Sequence, residues 1–182
     1  MGLNAGYAWH NVDGVYNNAD LSDTEQNSAI VGGQIGYNYR MNWFLMGVEL
    51  DANAATNSGS TVNAANGAQI TGELNYLASA RGRLGVLWND VLLYGTVGGG
   101  TAHHTFNEAK GAFSGEQHLS DTGLVFGGGL EWMVAYGVSL RTEYLRYDLS
   151  DSAALPSGLP GDFARFRDID IVRAGVNLRL AP

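Results

Sequence analysis

The chain has 182 residues, a formal net charge of −8 and only 15% charged residues, with 26 glycines, 9 Tyr, 6 Phe and 4 Trp. The length suits a single domain, and the acidic balance excludes binding along a nucleic-acid backbone, which requires clustered Lys and Arg. The absence of Cys excludes disulfides and thiolate metal sites, while the glycine-rich and aromatic-rich composition favours an all-β protein.

Alternating apolar and polar residues predict about eight strands of membrane-spanning length, each with one apolar face. On the first four strands the apolar faces carry Leu3, Ala5, Tyr7 and Trp9; Ala29, Val31, Gly33, Ile35, Tyr37 and Tyr39; Phe44, Met46, Val48 and Leu50; and Leu74, Tyr76, Ala78, Ala80, Leu84, Val86 and Trp88. The opposite faces of these strands carry mainly polar or charged residues, among them Asn4, Ser28, Gln34, Glu49, Asp51, Asn75, Ser79, Arg81 and Arg83.

The second half of the chain continues the same pattern. The fifth strand, near 91–101, is so rich in glycine that the alternation does not assign its faces. On the last three strands the apolar faces carry Thr122, Leu124, Phe126, Leu130 and Trp132; Val138, Leu140, Thr142 and Tyr144; and Val172, Ala174, Val176, Leu178 and Leu180. The opposite faces carry Asp121, Gly123, Gly127, Gly129 and Glu131; Ser139, Arg141, Glu143 and Tyr147; and Arg173, Gly175, Asn177 and Arg179.

The predicted connections alternate in length. Short turns are predicted at 40–42, 89–90 and 135–137, where two or three residues reverse an antiparallel pair. Long polar loops are predicted near 11–27, 52–72, 102–120 and 150–165. Short connections at one end and long ones at the other are typical of up-and-down outer-membrane barrels. The sequence therefore predicts one domain, 1–182, folded as an eight-stranded antiparallel transmembrane β-barrel.

The cost of a charge in lipid decides which face of each strand points inward. Arg or Lys at the midplane of the lipid face costs about 2–4 kcal/mol, so the charged faces are predicted to line the lumen. Because the interior of an eight-stranded barrel is just wide enough for side chains, and buried charges survive only in pairs, we expect a salt-bridged plug. Its predicted members are Glu49, Asp51, Arg81, Arg83, Glu131, Arg141, Glu143, Arg173 and Arg179.

Aromatic residues near the ends of the apolar faces are candidates for two membrane girdles, since amphipathic rings prefer the headgroup level. The predicted girdle residues are Tyr7, Trp9, Tyr37, Tyr39, Phe44, Trp88, Phe126, Trp132 and Tyr144.

Several motifs together resemble the small opacity-type or outer membrane immunogenic protein family, the porin-like surface barrels of alphaproteobacteria. They are VGGQIGYNY at 31–39, FLMGVE at 44–49, ARGRLGVLW at 80–88, LLYG at 92–95, GGGLE at 127–131, LRTEYLRY at 140–147 and VRAGVNLR at 172–179. The resemblance implies an eight-stranded barrel in a bacterial outer membrane, exported with a cleaved signal, with a structural or surface role and no enzymatic activity. The first residues lack a signal-like segment, and Leu180 stands where such barrels usually carry a terminal aromatic residue.

The predicted function is therefore a structural outer-membrane surface protein whose loops contact external partners. Expected partners are outer-membrane lipid and lipopolysaccharide, the barrel insertion machinery, and either a surface partner or a second copy through the loops, but no nucleic acid. Two alternatives stay open: a narrow passive porin-like channel, and a soluble lipocalin-like ligand carrier with its apolar faces inside.

Other chemistry is weaker in the sequence, and no catalytic, cofactor or metal site is predicted. His103 and His104, with His118 and Glu108, could hold a metal only from a loop conformation, because adjacent strand residues point to opposite faces. A catalytic acid/base set of Arg81, Glu49, Arg141 and Glu143 is less favoured than a structural network. A cation site at the acidic rim residues is less favoured than a solvated loop. These rim residues are Asp151, Asp162, Asp168 and Asp170.

Overall fold

A computed structural model describes residues 1–16, 19–56, 60–63, 69–110, 113–149, 152–154 and 163–180, with side chains placed in 1–9, 27–56, 74–103, 120–149 and 168–180. Ten strands are formed: β1 (Gly2–Tyr16), β2 (Ala19–Met41), β3 (Phe44–Thr56), β4 (Ser60–Asn63), β5 (Gln69–Trp88), β6 (Val91–Lys110), β7 (Phe113–Ala135), β8 (Val138–Leu149), β9 (Ser152–Ala154) and β10 (Phe163–Leu178). No helix in these ranges is long and apolar enough to cross a membrane.

Eight of the strands close into an antiparallel barrel, as the sequence predicts. The order is β1-β2-β3-β5-β6-β7-β8-β10, and β10 pairs with β1. Short β4 pairs with β5, and short β9 pairs with β10. Following paired residues once around the barrel from Ala29 of β2 leads back to Tyr39, ten residues further along β2. At about 3.3 Å per residue and about 4.8 Å between strands, this stagger gives a strand tilt of about 40°.

One end of the barrel consists of two-residue turns. They lie at 42–43, 89–90 and 136–137, at or within two residues of the predicted positions. Asn42 and Asn89 each have φ of 54° and Gly137 has φ of 74°. Gly reaches this left-handed region without a steric penalty, and Asn tolerates it better than other residues with a side chain. These residues therefore permit the tight reversals.

At the other end of the barrel the strands of the hairpins are longer, and the loops shorter, than predicted. β1 continues to Tyr16 and β2 begins at Ala19, while β6 continues to Lys110 and β7 begins at Phe113. Most of the loops predicted at 11–27 and 102–120 are therefore strand, as are 52–56 and 69–72. Backbone hydrogen bonds alone can extend an antiparallel pair, and outside an apolar medium neither face has to be apolar. The alternation that predicts strands is consequently absent from these extensions.

The outward face is apolar along the middle of the described strands, and eight of the nine charged residues of the predicted lumen set point inward. Val31, Val48, Leu93 and Val97, from three different strands, are all more than half exposed. Leu74 is an exception to the predicted facing, because it is buried in the lumen rather than sharing the outer face with Tyr76. A β-bulge between these two residues adds one residue to β5 and reverses the facing.

Candidate functional site

The lumen of the described barrel contains a network of buried polar side chains, and at its centre is a layer of six charged side chains. Three are arginines and three are acids, so their formal charges cancel. Each is at most 6% exposed. The members of this layer, which we call the central charge layer, are Glu49 and Asp51 of β3, Arg81 of β5, Arg141 and Glu143 of β8, and Arg173 of β10.

Glu49 is an acceptor shared between two of these arginines. Arg141 donates from Nη1 to Glu49 Oε2 at 2.6 Å and from Nη2 to Oε1 at 3.0 Å. Arg81 Nη2 donates to Glu49 Oε1 at 2.8 Å. Such charge-assisted and bidentate hydrogen bonds are stronger than neutral ones and constrain the planes of both groups. The carboxylate therefore joins three strands: its own strand β3, the neighbouring β5 and, across the lumen, β8.

Asp51 and Glu143 complete the layer. Arg173 donates from Nη1 to Asp51 Oδ1 at 2.8 Å and from Nε to Glu143 Oε2 at 2.8 Å. Arg81 Nη2 donates to Asp51 Oδ2 at 2.9 Å, and Arg141 Nη2 donates to Glu143 Oε2 at 3.2 Å. Each arginine thus contacts at least two acids. Buried ion pairs offset their desolvation only with this kind of geometry and hydrogen bonding.

A second set of polar contacts extends the layer toward the short turns. Arg83 Nη2 donates to Glu131 Oε2 at 2.8 Å, and Asn177 Nδ2 donates to Glu131 Oε1 at 3.1 Å. Gln34 Nε2 in turn donates to Asn177 Oδ1 at 2.7 Å, and Asn4 Nδ2 donates to Gln34 Oε1 at 2.6 Å. Because Arg83 Nη1 also lies 3.8 Å from Glu49 Oε2, this chain joins the central charge layer.

Tyr94 connects the remaining strand. Its hydroxyl donates to Glu143 Oε1 at 3.0 Å, and the guanidinium carbon of Arg83 lies 3.9 Å from the centre of its ring, a cation–π contact. All eight barrel strands therefore contribute to one continuous polar network. The contributors, in strand order from β1, are Asn4; Gln34; Glu49 and Asp51; Arg81 and Arg83; Tyr94; Glu131; Arg141 and Glu143; and Arg173 and Asn177.

Apolar side chains fill the lumen on both sides of the charges. On the long-hairpin side lies an apolar plug made of Ala8, Ile30, Leu74, Leu77, Ala102, Val125, Leu145, Tyr147, Leu149, Ile169 and Ile171. On the short-turn side Leu45, Leu92 and Tyr94 pack together with Leu87. The central charge layer therefore lies between two apolar clusters, and its side chains are almost fully buried.

The apolar plug was not predicted from the sequence. A polar-inside rule treats every inward residue as polar, whereas Leu77 and Leu145 occupy the same face as Arg81 and Arg141. The signal was available: continuing the inward phase of each strand from its charged residues toward the long hairpins reaches Leu77, Leu145 and Ile171.

The structure places eight of the nine predicted lumen charges inside the barrel and joins them in the network. The prediction for the ninth, Arg179, is wrong. It follows the last residue of β10 and is exposed, and its backbone N–H donates to Gly137 O at 2.8 Å at the short-turn end. The alternation of apolar and polar residues continues in the sequence past Leu178, but β10 and therefore the barrel wall end at that residue.

The predicted girdle residues point away from the lumen. Eight of them are exposed, and Phe44 is partly buried with its ring edge-on to Trp43, at a centroid distance of 6.3 Å. Tyr37, Tyr39, Phe44, Trp88 and Trp132 lie toward the short turns, and Tyr7, Trp9, Phe126 and Tyr144 lie farther toward the long hairpins. The structure adds Trp43 and Tyr136 at the short turns, which strand alternation could not detect because both occupy turn positions.

The remaining candidate sites have other surroundings. His103 stacks on Tyr76 at a centroid distance of 4.2 Å, with Ser120 Oγ 2.9 Å from its Nε2. Asp168 and Asp170 pair with Arg146. Glu108, His104, His118, Asp151 and Asp162 fall outside the described side chains. The four residues of the predicted acid/base set all belong to the central charge layer, where each is buried and forms ion pairs with the others.

Two adjacent glycines of β6 test how tightly the lumen is packed. A Cβ added to inward-facing Gly100 would lie 2.5 Å from Val125 Cγ2 and 2.7 Å from Tyr147 Cε1, whereas at outward-facing Gly99 the nearest atom is Gly123 O at 4.0 Å. We expect Gly100→Ala to lower the free energy of unfolding by about 1–3 kcal/mol through overpacking. Urea unfolding in lipid vesicles measures this change in the free energy of unfolding, with Gly99→Ala as the matched control. Equal effects of the two substitutions would show that the lumen is loosely packed.

Comparisons with known proteins agree with this geometry. The family model described as "Outer membrane protein beta-barrel domain" matches residues 1–179. The 31 kDa outer-membrane immunogenic protein of Brucella melitensis is 31% identical over 171 residues, covering 82% of this chain and 69% of that protein. The 22 kDa outer membrane protein of Rhizobium leguminosarum is 28% identical over 169 residues, covering 91% and 74%.

Solved structures show the same fold. The outer membrane protein OprG from Pseudomonas aeruginosa superposes with a TM-score of 0.59 at 16% identity, over 98% of this chain and 95% of that one. Neisserial surface protein A superposes with a TM-score of 0.50 at 12% identity, over 98% and 97%. At these identities the likeness concerns the fold alone.

Proposed function

Because the chain belongs to the outer membrane protein beta-barrel domain family and is therefore an outer-membrane protein, we propose that it is a non-conducting structural barrel that displays its long hairpins at the cell surface. The observation that carries this proposal is the filled lumen. One polar network that joins all eight barrel strands lies between two apolar clusters, and its charged groups are largely buried.

The network supplies rigidity in this proposal. It joins side chains of all eight strands, including partners as distant in sequence as Glu49 and Arg141. A barrel tied together in this way can hold the β1–β2 and β6–β7 hairpins beyond the apolar belt without a cofactor or a catalytic cleft. Long connections face the cell exterior in bacterial outer-membrane barrels, so these hairpins are the surface that we propose for external partners or for a second copy.

Of the two alternative functions, the soluble lipocalin-like carrier is wrong, because the apolar faces point outward and the family is one of outer-membrane barrels. A porin-like channel remains the second candidate, supported by family likeness. It would require the central charge layer and the apolar plug to move aside.

Single-channel recording in planar lipid bilayers separates the two candidates. We expect the refolded wild-type barrel to add no steady conductance, because the central charge layer and the apolar plug occupy the lumen. Heat-modifiable gel migration of the same preparation verifies that the barrel is folded and inserted. Discrete conductance steps from folded protein would overturn the non-conducting proposal and favour the porin-like channel.

A further inference from the structure

The outer part of strand β7 extends beyond the barrel wall with one edge left open. Its ladder with β6 continues without a register shift to the pair Lys110↔Phe113, whereas its ladder with β8 ends at the pair Gly123↔Leu149. β9, which follows β8 in the chain, pairs with β10. Among the described strands, residues 113–122 therefore have a hydrogen-bonded neighbour on the β6 side only. We call their other side the free edge of β7; at about 3.3 Å per residue it is about 33 Å long.

The hydrogen-bonding pattern of β7 identifies the backbone groups that point to the free edge. Met133 N–H donates to Asp90 O at 2.9 Å, on the β6 side. In an antiparallel sheet, successive residues of a strand bond alternately to one neighbour and to the other. Because the β6–β7 ladder has no shift, odd-numbered residues of β7 bond to β6 and even-numbered ones point away from it. The backbone N–H and C=O groups of Ser114, Glu116 and His118 thus point to the free edge.

The free edge lies on the water side of the outer headgroup level. Outward charges are costly in hydrocarbon and tolerated at the interface, so Arg146, which pairs with Asp168 and has a side chain 38% exposed, marks that level. Arg146 is opposite Phe126 of β7, and residues 113–122 begin four positions farther from the membrane. Water can hydrate unpaired backbone groups there, whereas a bilayer core could not. The free edge is therefore accessible to a partner from outside the membrane.

This edge lacks the usual protection against strand addition. Natural sheets protect exposed edges with Lys, Pro, bulges or very short strands. Residues 113–122 include no Lys, Arg or Pro, and their ladder with β6 has no bulge. They also have support behind them, because β6 pairs with β5 and β5 pairs with β4. The free edge is thus the border of a four-stranded sheet and a template for a fifth strand.

The charge of the long hairpins indicates which kind of strand this end of the barrel attracts. Glu116 is the only Asp, Glu, Lys or Arg between 113 and 120. Residues 10–28, the outer part of the β1–β2 hairpin, include no Lys or Arg but four acids: Asp13, Asp20, Asp23 and Glu25. Opposite charges on neighbouring strands favour pairing, and an acidic surface attracts cationic partners over a longer range. A basic segment is therefore favoured over an acidic one.

We propose that the free edge of β7 binds an extended, basic segment of another polypeptide, which adds to the sheet as a fifth strand. The backbone groups of Ser114, Glu116 and His118 supply the hydrogen bonds, and Lys or Arg side chains of the segment are attracted by the acids of the hairpins. The inference rests on the surface display in the proposed function and names the chemistry of the partner. It does not depend on whether the lumen conducts.

A second copy of the chain fits the free edge less well. Two barrels in one membrane point their hairpins in the same direction, so a two-fold axis along the membrane normal relates them. With a strand tilt of about 40°, the two β7 strands would cross at about 80° and could not pair along their length. Each copy would also bring the acid Glu116 to the contact.

Hydrogen–deuterium exchange, followed by NMR on the full chain in phosphatidylcholine nanodiscs, tests whether the edge is open. In the free protein we expect the amides of Glu116 and His118 to exchange quickly, and those of Gln117 and Leu119, which point to β6, to exchange more slowly. The synthetic peptide (Lys-Val)4, at about ten times its Kd, is expected to slow exchange at Glu116 and His118 about tenfold. Protection of these two amides without peptide would overturn the proposal, because the edge would already be paired within the chain.

Fluorescence anisotropy of labelled (Lys-Val)4 separates strand addition from simple charge attraction. The same peptide N-methylated at every residue keeps its charge but has no backbone N–H, so we expect it to bind about tenfold more weakly, as should (Glu-Val)4. His118→Pro removes an N–H from the free edge and leaves the bonds to β6, so it should weaken binding of (Lys-Val)4 about tenfold. His118→Ala, which keeps that N–H, is the matched control. Ser114→Pro repeats the test, and heat-modifiable migration confirms that each variant is folded.

Equal affinities of the N-methylated and unmodified peptides would overturn the proposal, as would equal affinities of His118→Pro and His118→Ala for (Lys-Val)4. A dimer that dissociates when (Lys-Val)4 is added would assign the edge to a second copy instead. Single-channel recording of the same preparation keeps the two proposals apart. Conductance with retained peptide binding would refute only the non-conducting barrel, and a silent, folded barrel that does not bind the peptide would refute only the strand addition.

Discussion

Replacement of Arg173 by Met is expected to lower the free energy of unfolding by about 3–5 kcal/mol, the cost of leaving buried charges without their partner. Arg173 is 1% exposed and contacts both Asp51 and Glu143, so its loss leaves the central charge layer with three acids and two arginines. Met fills much of the volume of the arginine stem without its charge, which keeps the change electrostatic rather than steric.

Urea unfolding in phosphatidylcholine vesicles, followed by Trp fluorescence, measures this effect. The matched control is Arg179→Met, an exposed arginine six residues further along that does not join the described network, and we expect it to stay within about 0.5 kcal/mol of wild type. Equal costs at Arg173 and Arg179 would mean that burial in the network contributes nothing to stability.

The double variant Arg173→Met with Glu143→Gln examines coupling within the layer. Because it restores charge balance, we expect it to cost less than the two single changes added together, by about 1–3 kcal/mol. Additive costs would show that the two side chains act independently despite the 2.8 Å bond from Arg173 Nε to Glu143 Oε2.

Replacement of Leu50 by Arg is expected to lower the free energy of unfolding by about 2–4 kcal/mol, because it puts a charge into hydrocarbon. Leu50 is 58% exposed and lies halfway along the outward face of β3. Its paired neighbours are Ile35 and Ala80, so the lipid-facing surface around it offers no acid to pair with.

The same unfolding measurement in vesicles applies here, with Met41→Arg as the control. Met41 is similarly exposed but ends β2 at the short turns, where an arginine reaches the interface at a cost of about 0–1 kcal/mol. If the unfolding free energies of the two variants fell by equal amounts, the belt around Leu50 would not lie at the centre of the membrane.

Part of this architecture follows from local chemistry. In β8 the alternation of Leu140, Thr142 and Tyr144 with Arg141 and Glu143 assigns both faces without knowledge of any other strand. The reason is that side chains of a strand alternate by geometry, and lipid penalises charge wherever the strand lies. The closed barrel and the inward direction of its charges could thus be predicted.

Other features depend on how the strands meet. The pairing of Arg141 with Glu49, 92 residues away, follows from the ten-residue stagger of the closed barrel, which no single strand encodes. The inward turn of Leu74 depends on a bulge against β6, and the exposure of Arg179 depends on where pairing with β8 ends.

By itself, therefore, the sequence determined the strand faces, the short turns and the residue types inside and outside the barrel, because period-two geometry and the cost of buried charge act residue by residue. The tertiary structure decided which charges pair, how far the hairpins extend, and where apolar side chains pack together in the lumen. These are properties of register and closure, and they exist only once distant strands are hydrogen-bonded side by side.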